Sequence, residues 1–360
     1  MFYHLFYPLS KYFFIFNLAR YITFRGASAF VTSFILVIFF WKKTERRLKT
    51  LKIEEKVDMY GHVRLTTLHG VKEGTPTMGG LLIVFSVFLS CLLWSRWDIK
   101  FTWYALLVMF LLGLVGLKDD LLKIKRGRGI KRSEKLFYQI LIGLILGLIL
   151  SVDKSISTVL DIPFFKQLVW NLSYFYIFWV SLVIVSTSNA VNFTDGLDGL
   201  AIGAVVTNCL VFAILSYIVG HVKFAQYLFI PYVKGAGELS ILCTSMIGAG
   251  LGFLWFNSYP AQIFMGDVGA LSLGGVIGAV AIFIKKEFIL IFSGGIFVLE
   301  ALTVVIQIFS VKIRGKKVFK AAPLHHHLQL LGWPESKIVV RLWIVCIMFA
   351  VLSLLTLKLR

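Results

Sequence analysis

Acidic residues are scarce in this sequence, and cysteine is scarcer still. The chain of 360 residues holds 18 Asp and Glu against 37 Lys and Arg, and it has 4 cysteines. Those cysteines, Cys91, Cys209, Cys243 and Cys346, all fall in apolar stretches without CxxC spacing. This pattern argues against a zinc site or a disulfide framework, and we expect the four residues to behave as small apolar side chains.

Two phosphate-binding motifs are also missing. The sequence has no GxxxxGK[ST] loop and no strand followed by GxGxxG and a helix, so we do not expect ATP in a standard nucleotide-binding fold. Nothing resembles a soluble nucleic-acid-binding module, so nucleic acid is not an expected partner. Residues 1–20 lack the clean apolar core and small-residue cleavage site of a signal peptide, and their Phe and Tyr residues predict an interfacial segment on the outer face of a membrane.

Long apolar runs dominate the rest of the chain. Hydrophobic residues make up 58% of it and the mean hydropathy is +0.85, whereas a soluble domain is about 45–50% apolar. Helices of about 20 apolar residues cross a bilayer and satisfy their own backbone hydrogen bonds. We therefore predict an all-α polytopic membrane protein, with residues 1–360 in one domain. The predicted spans are 24–41, 77–95, 101–117, 136–152, 173–190, 199–219, 239–256, 269–285, 288–310 and 338–356.

Loop charges predict how these ten spans are oriented. The segments 42–76, 118–135 and 311–341 carry 24 of the 37 Lys and Arg residues. Because positively charged loops stay in the cytoplasm, these three segments are predicted to be cytoplasmic. Ten is an even number, so both termini are expected on the periplasmic face. Whether some of these cations bind a polyanionic substrate, beyond attracting anionic lipid, stays open at this point.

The acids at the ends of the spans gather on the predicted cytoplasmic side. They are Asp119 and Asp120 after the third span, Asp195 and Asp198 with Asn192 in NAVNFTDGLDGL, and Asp267 in NSYPAQIFMGDVGALSLGG. Carboxylates are costly near lipid, so acids kept there usually bind or react with something. The last two connections contain no Lys or Arg. Acids without local counter-ions favour a divalent cation, and Mg²⁺ takes one or two carboxylates with phosphate oxygens.

Structural explanations of the same residues remain open. Asp119 and Asp120 would also suit a solvated helix end with Lys118 or Lys123 as counter-ion. Spacing by three predicts that Asn192, Asp195 and Asp198 lie along one helical face, but Asp198 would equally serve as a helix N-cap. Free backbone N–H groups at the start of the eighth span are expected to suit an anion.

Two cytoplasmic segments offer further polar groups. KEGTPTMGG, residues 72–80, provides Lys72, Thr75 and Thr77 for a phosphate, and we expect Pro76 in the first turn of the second span. The other segment, PLHHH, ends in three adjacent histidines, which chelate one metal poorly because successive helical residues project about 100° apart. Contacts to phosphate or sugar and structural hydrogen bonds are both open for them.

Glu300 and Gln307 lie seven residues apart in the ninth span and therefore share one helical face. Both are expected to face protein or a polar cleft. Hydrogen bonding to a neighbouring helix is the simpler explanation of the two side chains.

Taken together, these motifs resemble the phospho-N-acetylmuramoyl-pentapeptide-transferase family, within the polyprenyl-phosphate N-acetylhexosamine-1-phosphate transferases. KEGTPTMGG, the Asp pair, NAVNFTDGLDGLA, NSYPAQIFMGDVGALSLGG and APLHHH occur in the family's order, and the histidine triplet indicates the muramoyl-pentapeptide branch. The resemblance implies an enzyme of the bacterial inner membrane with its active site in cytoplasmic loops. It implies Mg²⁺-dependent transfer of phospho-MurNAc-pentapeptide from UDP-MurNAc-pentapeptide to undecaprenyl phosphate, giving lipid I and UMP, the first membrane step of peptidoglycan synthesis.

The resemblance also implies roles for single residues. Asp267 would be the main Mg²⁺ ligand, and Asp119, with Asp120 beside it, the base or the carboxylate that positions the acceptor. The substrate-binding residues would be Lys72, Thr75, Lys123, Asn192, Asp195, Asp198, Phe264, Gln307, His325, His326 and His327. Lys118 departs from the family pattern, where an apolar residue is usual, and we expect it to lower the pKa values of the pair.

Other functions stay compatible with these residues. A sister enzyme would transfer GlcNAc-1-phosphate from UDP-GlcNAc to the same lipid, although the histidine triplet argues against it. A cation-coupled transporter would place its coupling acids near the membrane midplane, whereas here the acids gather at one surface and Glu300 alone is expected to be deep.

A second copy of the chain, forming a homodimer, is the expected protein partner.

Overall fold

The computed structural model of the chain describes residues 1–54, 74–153, 156–161 and 169–358. Within these ranges the chain is almost wholly helical, as predicted, and its strands form one antiparallel pair. In chain order the elements are α1 (Phe2–Leu9), α2 (Ile22–Thr50), α3 (Gly80–Trp94), α4 (Lys100–Arg126), α5 (Arg132–Val152), β1 (Val159–Asp161), β2 (Val169–Asn171), α6 (Tyr176–Thr194), α7 (Leu200–Val219), α8 (Val222–Tyr227), α9 (Leu239–Asn257), α10 (Gly266–Phe283), α11 (Glu287–Ser293), α12 (Gly295–Arg314), α13 (Leu324–Leu330) and α14 (Glu335–Leu355).

Each of the ten predicted spans overlaps one long helix. In the part of the chain that the structure describes, α2, α5, α6, α7, α9, α10, α12 and α14 are long and apolar enough to cross a membrane. The apolar helix α3 is shorter, with 15 residues. Helix α4 has 27 residues and contains the predicted span 101–117. The prediction of an all-α polytopic membrane protein is confirmed.

The ninth predicted span, 288–310, is wrong as a single helix. The chain forms α11 as far as Ser293, breaks at Gly294 and continues as α12. A Cβ atom on Gly294 would lie 2.7 Å from the carbonyl oxygen of Leu290. Only glycine fits this turn without displacing the backbone, and hydropathy alone does not reveal such a break.

Helix α10, which is rich in glycine, occupies the centre of the bundle. All residues from Asp267 to Phe283 are buried, and α10 packs against α3, α4, α6 and α7. A Cβ on Gly80 of α3 would lie 2.2 Å from the backbone nitrogen of Gly269, and one on Gly116 of α4 would lie 2.4 Å from the carbonyl oxygen of Asp267. The three helices therefore pack backbone to backbone, which brings the end of α4 beside the start of α10.

Both termini lie on the face of the bundle opposite the predicted acids. The amino group of Met1 donates to the carbonyl oxygen of Leu92 near the end of α3, far from the end of α4 that bears the acids. At the start of α14, Glu335 Oε1 accepts the backbone N–H of Asp198, 2.8 Å away, so Leu355 at the other end lies on the opposite face. The arrangement agrees with the predicted topology, in which that face is periplasmic.

On this same face a buried ion pair links three elements. Arg25, near the start of α2, donates from Nη1 and Nη2 to the two carboxylate oxygens of Glu238, each 2.6 Å away, and Nη1 also lies 3.2 Å from the carbonyl oxygen of Trp94. The two side chains are 1% and 4% exposed. The pair therefore holds α2 and α3 to the turn that precedes α9.

The N-terminal segment is helical, and the cysteines follow the sequence prediction. Residues 1–20 form α1 and a 3₁₀ helix over Phe14–Arg20, and the rings of Tyr12, Phe13 and Phe14 are exposed. An interfacial position for this segment stays a prediction. The four cysteines are all buried and unpaired, within α3, α7, α9 and α14. The prediction that they act as small apolar side chains is confirmed.

Candidate active site

Three of the predicted acids meet in one cluster. Asp119 and Asp120 lie near the end of α4, and Asp267 lies in the first turn of α10. Oxygen atoms of the three carboxylates lie within 4.8 Å of one another, and all three residues are buried. The close contact of Gly116 with the start of α10 is what makes this meeting possible.

Two lysines lie among these carboxylates. Lys123 Nζ is 2.9 Å from Asp119 Oδ2, 3.4 Å from Asp120 Oδ1 and 3.0 Å from Asp267 Oδ1. Lys135 of α5 pairs with Asp267 Oδ2 and lies 3.6 Å from Asp119 Oδ2. The expectation that Asp267 lacks counter-ions is therefore wrong, because α4 and α5 supply them. Sequence reasoning missed Lys135, which is separated from Asp267 by 132 positions.

Lys118 points away from the Asp pair that follows it. Its Nζ lies 2.7 Å from Glu134 Oε1 and 3.1 Å from the hydroxyl of Tyr138. Adjacent helical residues project about 100° apart, so a neighbour in sequence need not be a neighbour in space. The expectation that Lys118 lowers the pKa values of the pair is wrong; Lys123 and Lys135 have that effect on Asp119.

Backbone amides hold the Asp pair in place. Ile130 N–H donates to Asp119 Oδ1 at 2.7 Å, and Val268 N–H donates to Asp120 Oδ2 at 3.2 Å. The start of α10, expected to suit an anion, thus binds the carboxylate of Asp120. Gly266 permits this contact, since its φ is +72° and a Cβ there would lie 2.7 Å from Asp120 Oδ2.

Burial makes the cluster receptive to a cation. Asp119 and Asp120 lie beyond the predicted end of the third span, at 117. Burial, reinforced by the Asp267 carboxylate, raises the pKa of Asp119 and raises the pKa of Asp120 to about 7. Burial also opposes the charge of Lys123, but the carboxylates of Asp267, Asp120 and Asp119 outweigh it and raise the pKa of that lysine. A divalent cation would favour the ionised form of all three acids.

The donor set fits Mg²⁺. The cation prefers oxygen ligands and binds through one or two carboxylates together with phosphate oxygens and water. Asp119 and Asp267 each contact both lysines, and Asp267 also accepts a hydrogen bond from Asn192, so lysine ammonium groups lie beside the oxygens that a metal would take. Asp119 and Asp120 supply the further oxygens within reach.

A cleft of about 850 Å³ opens beside this cluster. It lies between α5, α6, α12 and the segment before α13, and Lys135, which pairs with Asp267, forms part of its wall. Its cations are Arg132, Lys135, Lys317 and Lys320. Pockets that bind small molecules have volumes of about 300–1,000 Å³, and this charge suits a polyanionic ligand such as a diphosphate.

The polar residues of NAVNFTDGLDGL diverge instead of sharing one helical face. Helix α6 ends at Thr194. Asn192 Nδ2 donates to Asp267 Oδ1 at 2.9 Å, half-buried Asp195 caps the end of α6, and Asp198 Oδ2 accepts the N–H of Ala261 at 3.0 Å. The prediction of one face is therefore wrong, and Asp198 is also not the N-cap of α7, which is Gly199.

The three histidines of α13 have different surroundings. His326 lines the cleft and its Nδ1 lies 2.9 Å from Gln329 Oε1. His325 is buried, with Nδ1 3.2 Å from Glu300 Oε2. His327 Nδ1 accepts the backbone N–H of Lys320 at 3.1 Å.

Gln307 lines the cleft but uses its amide on the cleft wall. Its Oε1 accepts the N–H groups of Val318 and Phe319, at 3.1 and 3.0 Å, and its Nε2 donates to the carbonyl oxygen of Phe319 at 3.1 Å. Glu300 and Gln307 thus face protein, as expected. Glu300 bonds His325 of α13 and Gln307 bonds the segment that leads into α13, so neither bonds a neighbouring long helix.

The segment before α3 is tied to the segment before α10. Phe264 N–H donates to the carbonyl oxygen of Pro76 at 2.9 Å, and Gly79 N–H donates to the carbonyl oxygen of Phe264 at 2.8 Å. Thr75, next to Pro76, is half-buried. Pro76 is not in a helical turn, because α3 begins at Gly80, so that prediction is wrong. Lys72 lies outside the described residues.

Replacing Gly116 with Ala should lower kcat at least tenfold, because the new methyl group would push α4 away from α10 and separate Asp119 and Asp120 from Asp267. A displacement of about 1 Å at reacting groups costs about 100-fold in rate. The measurement is kcat together with the melting temperature in detergent. Gly26→Ala is the matched control, since its Cβ would meet Thr244 Oγ1 at an ordinary 3.4 Å. Equal activity of the two variants would contradict the expected role of this helix contact.

Comparison with known proteins adds to this geometry. Residues 102–285 match the model of Glycosyl transferase family 4, and residues 72–84 match Phospho-N-acetylmuramoyl-pentapeptide-transferase signature 1. The chain is 46% identical to a protein of Citrifermentans bemidjiense over 362 residues and 47% identical to proteins of Oleidesulfovibrio alaskensis and Desulfotalea psychrophila over 367 and 363 residues. Each alignment covers 100% of both chains, and each relative is named phospho-N-acetylmuramoyl-pentapeptide-transferase.

Proposed function

Since this chain belongs to the phospho-N-acetylmuramoyl-pentapeptide-transferase family, we propose that its acid cluster and the adjacent cleft are the active site of that transfer. The chain is a multi-pass transferase of the bacterial inner membrane that makes lipid I for peptidoglycan synthesis. Its substrates are a nucleotide-linked sugar-peptide and a polyprenyl phosphate. We assign UDP-MurNAc-pentapeptide as the donor, undecaprenyl phosphate as the acceptor and UMP as the second product. The cluster of three carboxylates at the end of a cationic cleft is the observation that carries this assignment.

Positioning and charge neutralisation are the main tasks of such a site. The reaction exchanges one phosphoanhydride for another, so little covalent chemistry falls to the protein. The cations that line the cleft would bind the donor diphosphate and hold it beside the acids. Asp267, with Asp119 and Asp120, would hold Mg²⁺, which when bound neutralises the diphosphate and stabilises the UMP leaving group.

We favour direct attack of the lipid phosphate on the β-phosphorus of the donor over a covalent intermediate on Asp119. A phosphate monoester has a second pKa near 6, so the acceptor is largely dianionic at pH 7 and needs no base. Both oxygens of Asp119 are already engaged, one by Ile130 N–H and the other by Lys123. Asp119 would therefore act through the cations beside it, Lys123 and the bound Mg²⁺, which would position the acceptor phosphate. Trapping a phospho-sugar adduct on Asp119 would contradict this role.

Removing the metal should abolish turnover. The test is UMP release by the detergent-solubilised protein, supplied with UDP-MurNAc-pentapeptide, undecaprenyl phosphate and Mg²⁺, against the same mixture with a chelator. We expect product in the first mixture and its return when Mg²⁺ is added in excess to the second. Undiminished turnover with chelator would refute the metal assignment, and faster turnover with UDP-GlcNAc would assign the chain to the sister activity.

The homodimer is a separate part of the proposal. Light scattering of the solubilised protein, corrected for detergent, should give twice the chain mass of 40.7 kDa. A mass of one chain under conditions where the protein is active would contradict it.

A further inference from the structure

Glu300 and His325 form a buried pair beneath the cleft. The two residues are 0% and 1% exposed. Glu300 Oε2 lies 3.2 Å from His325 Nδ1 and accepts the backbone N–H of the same histidine at 3.4 Å. Within the described part of the chain, Glu300 Oε1 and the two imidazole nitrogens of His325 make no further well-directed hydrogen bond. A buried carboxylate is costly unless it is paired, so His325 is the group that stabilises Glu300 in this position.

The other side of the His325 ring rests on the connection between α6 and α7. A Cβ atom on Gly196 would lie 2.2 Å from His325 Nε2, so the ring stands directly against the backbone there. Gly196 N–H bonds the carbonyl oxygen of Thr194, at the end of α6. Asn192, which donates to Asp267, lies in the last turn of the same helix. His325 is thus a spacer between α12 and the connection that begins at the acid cluster.

The neighbouring histidine, His326, contacts His325 and also lines the cleft. The rings of His325 and His326 are 4.2 Å apart, and His326 lines the cleft together with Asn192. The position of the His326 ring therefore depends on where Glu300 and Gly196 hold His325. Two helical turns further along α12, Gln307 accepts the N–H groups of Val318 and Phe319. Helix α12 therefore fixes the cleft wall at two places, at Val318 and Phe319 through Gln307 and at His325 through Glu300.

We propose that Glu300 and His325 are a positioning pair that sets the distance between the α6–α7 connection and α13. Of His325 and His326, His326 contacts the substrate and His325 does not. This inference rests on the proposed function, because it concerns the same cleft. The resemblance assigned all three histidines to substrate binding, whereas this proposal gives His325 a positioning role and His326 a substrate contact. Glu300 acts through His325, and His325 acts through the backbone of Gly196.

Kinetic constants of matched variants test the pair. Glu300→Gln keeps the length of the side chain and an acceptor oxygen but removes the charge. It should lower kcat about tenfold and change the KM for UDP-MurNAc-pentapeptide less than about threefold, because misplaced groups chiefly slow the reaction. His326→Ala removes a contact made before and during the reaction, and it should raise KM about tenfold. Glu300→Gln combined with His325→Asn should be no slower than His325→Asn alone, because residues that act as a unit are not additive.

The controls separate positioning from loss of the fold. Glu45→Gln removes an acid from an exposed helical pair with Lys49 and should leave kcat and melting temperature unchanged. If Glu300→Gln fails to fold, Glu300→Asp decides: it keeps the charge but not the reach, and lowered kcat at a wild-type melting temperature supports the pair, whereas wild-type kcat overturns it. Unchanged kcat in Glu300→Gln, or full additivity in the double variant, would also overturn it. An inactive wild-type protein would instead refute the proposed function.

Discussion

Replacing Asp267 with Asn should reduce turnover about a hundred- to a thousandfold while the helical bundle stays folded. The amide keeps the shape of the side chain but removes the negative charge that faces Lys123, Lys135 and the proposed cation. Loss of one preorganised electrostatic contact in an active site typically costs this much in kcat. The first turn of α10 would remain in place, because its packing against α3 and α4 depends on backbone contacts at Gly80 and Gly116.

UMP release at several Mg²⁺ concentrations measures this effect, and the melting temperature of the variant checks its fold. Asp98→Asn is the matched control, because Asp98 lies on the opposite face, pairs with Arg96 and is 46% exposed. We expect the control to turn over at the wild-type rate. A variant Asp267→Asn that keeps Mg²⁺-dependent turnover within tenfold of wild type would rule out Asp267 as the main ligand.

Replacing Arg25 with Ala should lower the free energy of unfolding by about 3–5 kcal/mol, the usual result of removing one partner of a buried ion pair. The guanidinium group bonds both oxygens of Glu238 and lies 3.2 Å from the carbonyl oxygen of Trp94. Its loss would leave the Glu238 carboxylate buried without a counter-ion, which is where most of the cost arises. The link between α2, α3 and the turn before α9 would be lost as well.

Unfolding of the solubilised protein by a denaturing detergent gives this free energy. The exposed pair of Lys49 and Glu45, 2.8 Å apart in α2, provides the comparison. Lys49→Ala should cost no more than about 0.5 kcal/mol, as exposed helical pairs do. Replacing Arg25 with Met and Glu238 with Leu together should recover much of the loss, because the unpaired charge is then absent. A cost below about 1 kcal/mol for Arg25→Ala would show that water reaches the carboxylate.

The sequence allows the helices to be predicted well because each span is a local property. An apolar run of sufficient length forms a helix in lipid whatever surrounds it, so all ten spans overlap helices, and the position of Asp119 and Asp267 at span ends follows directly. The break at Gly294 was not predictable in this way, because hydropathy does not distinguish a continuous apolar helix from one divided by a glycine. The central place of α10 is likewise a matter of packing.

The candidate site was predictable in its acids but not in its cations. Asp119, Asp120 and Asp267 share one feature, a carboxylate at the edge of an apolar run, and that feature is visible in the sequence. Lys135 falls in the predicted loop 118–135 with several other cations, and only its contacts with Asp267 and Asp119 in the folded chain distinguish it from them. Lys118 shows the converse. Its position next to Asp119 in the sequence predicted an effect on the Asp pair, but the helix directs its side chain to Glu134.

The burial of all four cysteines has a practical consequence for mapping the topology of this enzyme. A thiol reagent that does not cross membranes has no accessible native sulfur atom to modify, so the natural chain serves as its own unreactive background. A single cysteine placed at exposed Lys131, beside the acids, or at exposed Tyr12, on the opposite face, would then carry the whole labelling signal from intact cells. Labelling at position 12 and protection at position 131 would assign the two faces of the bundle to their compartments without first engineering a cysteine-free protein.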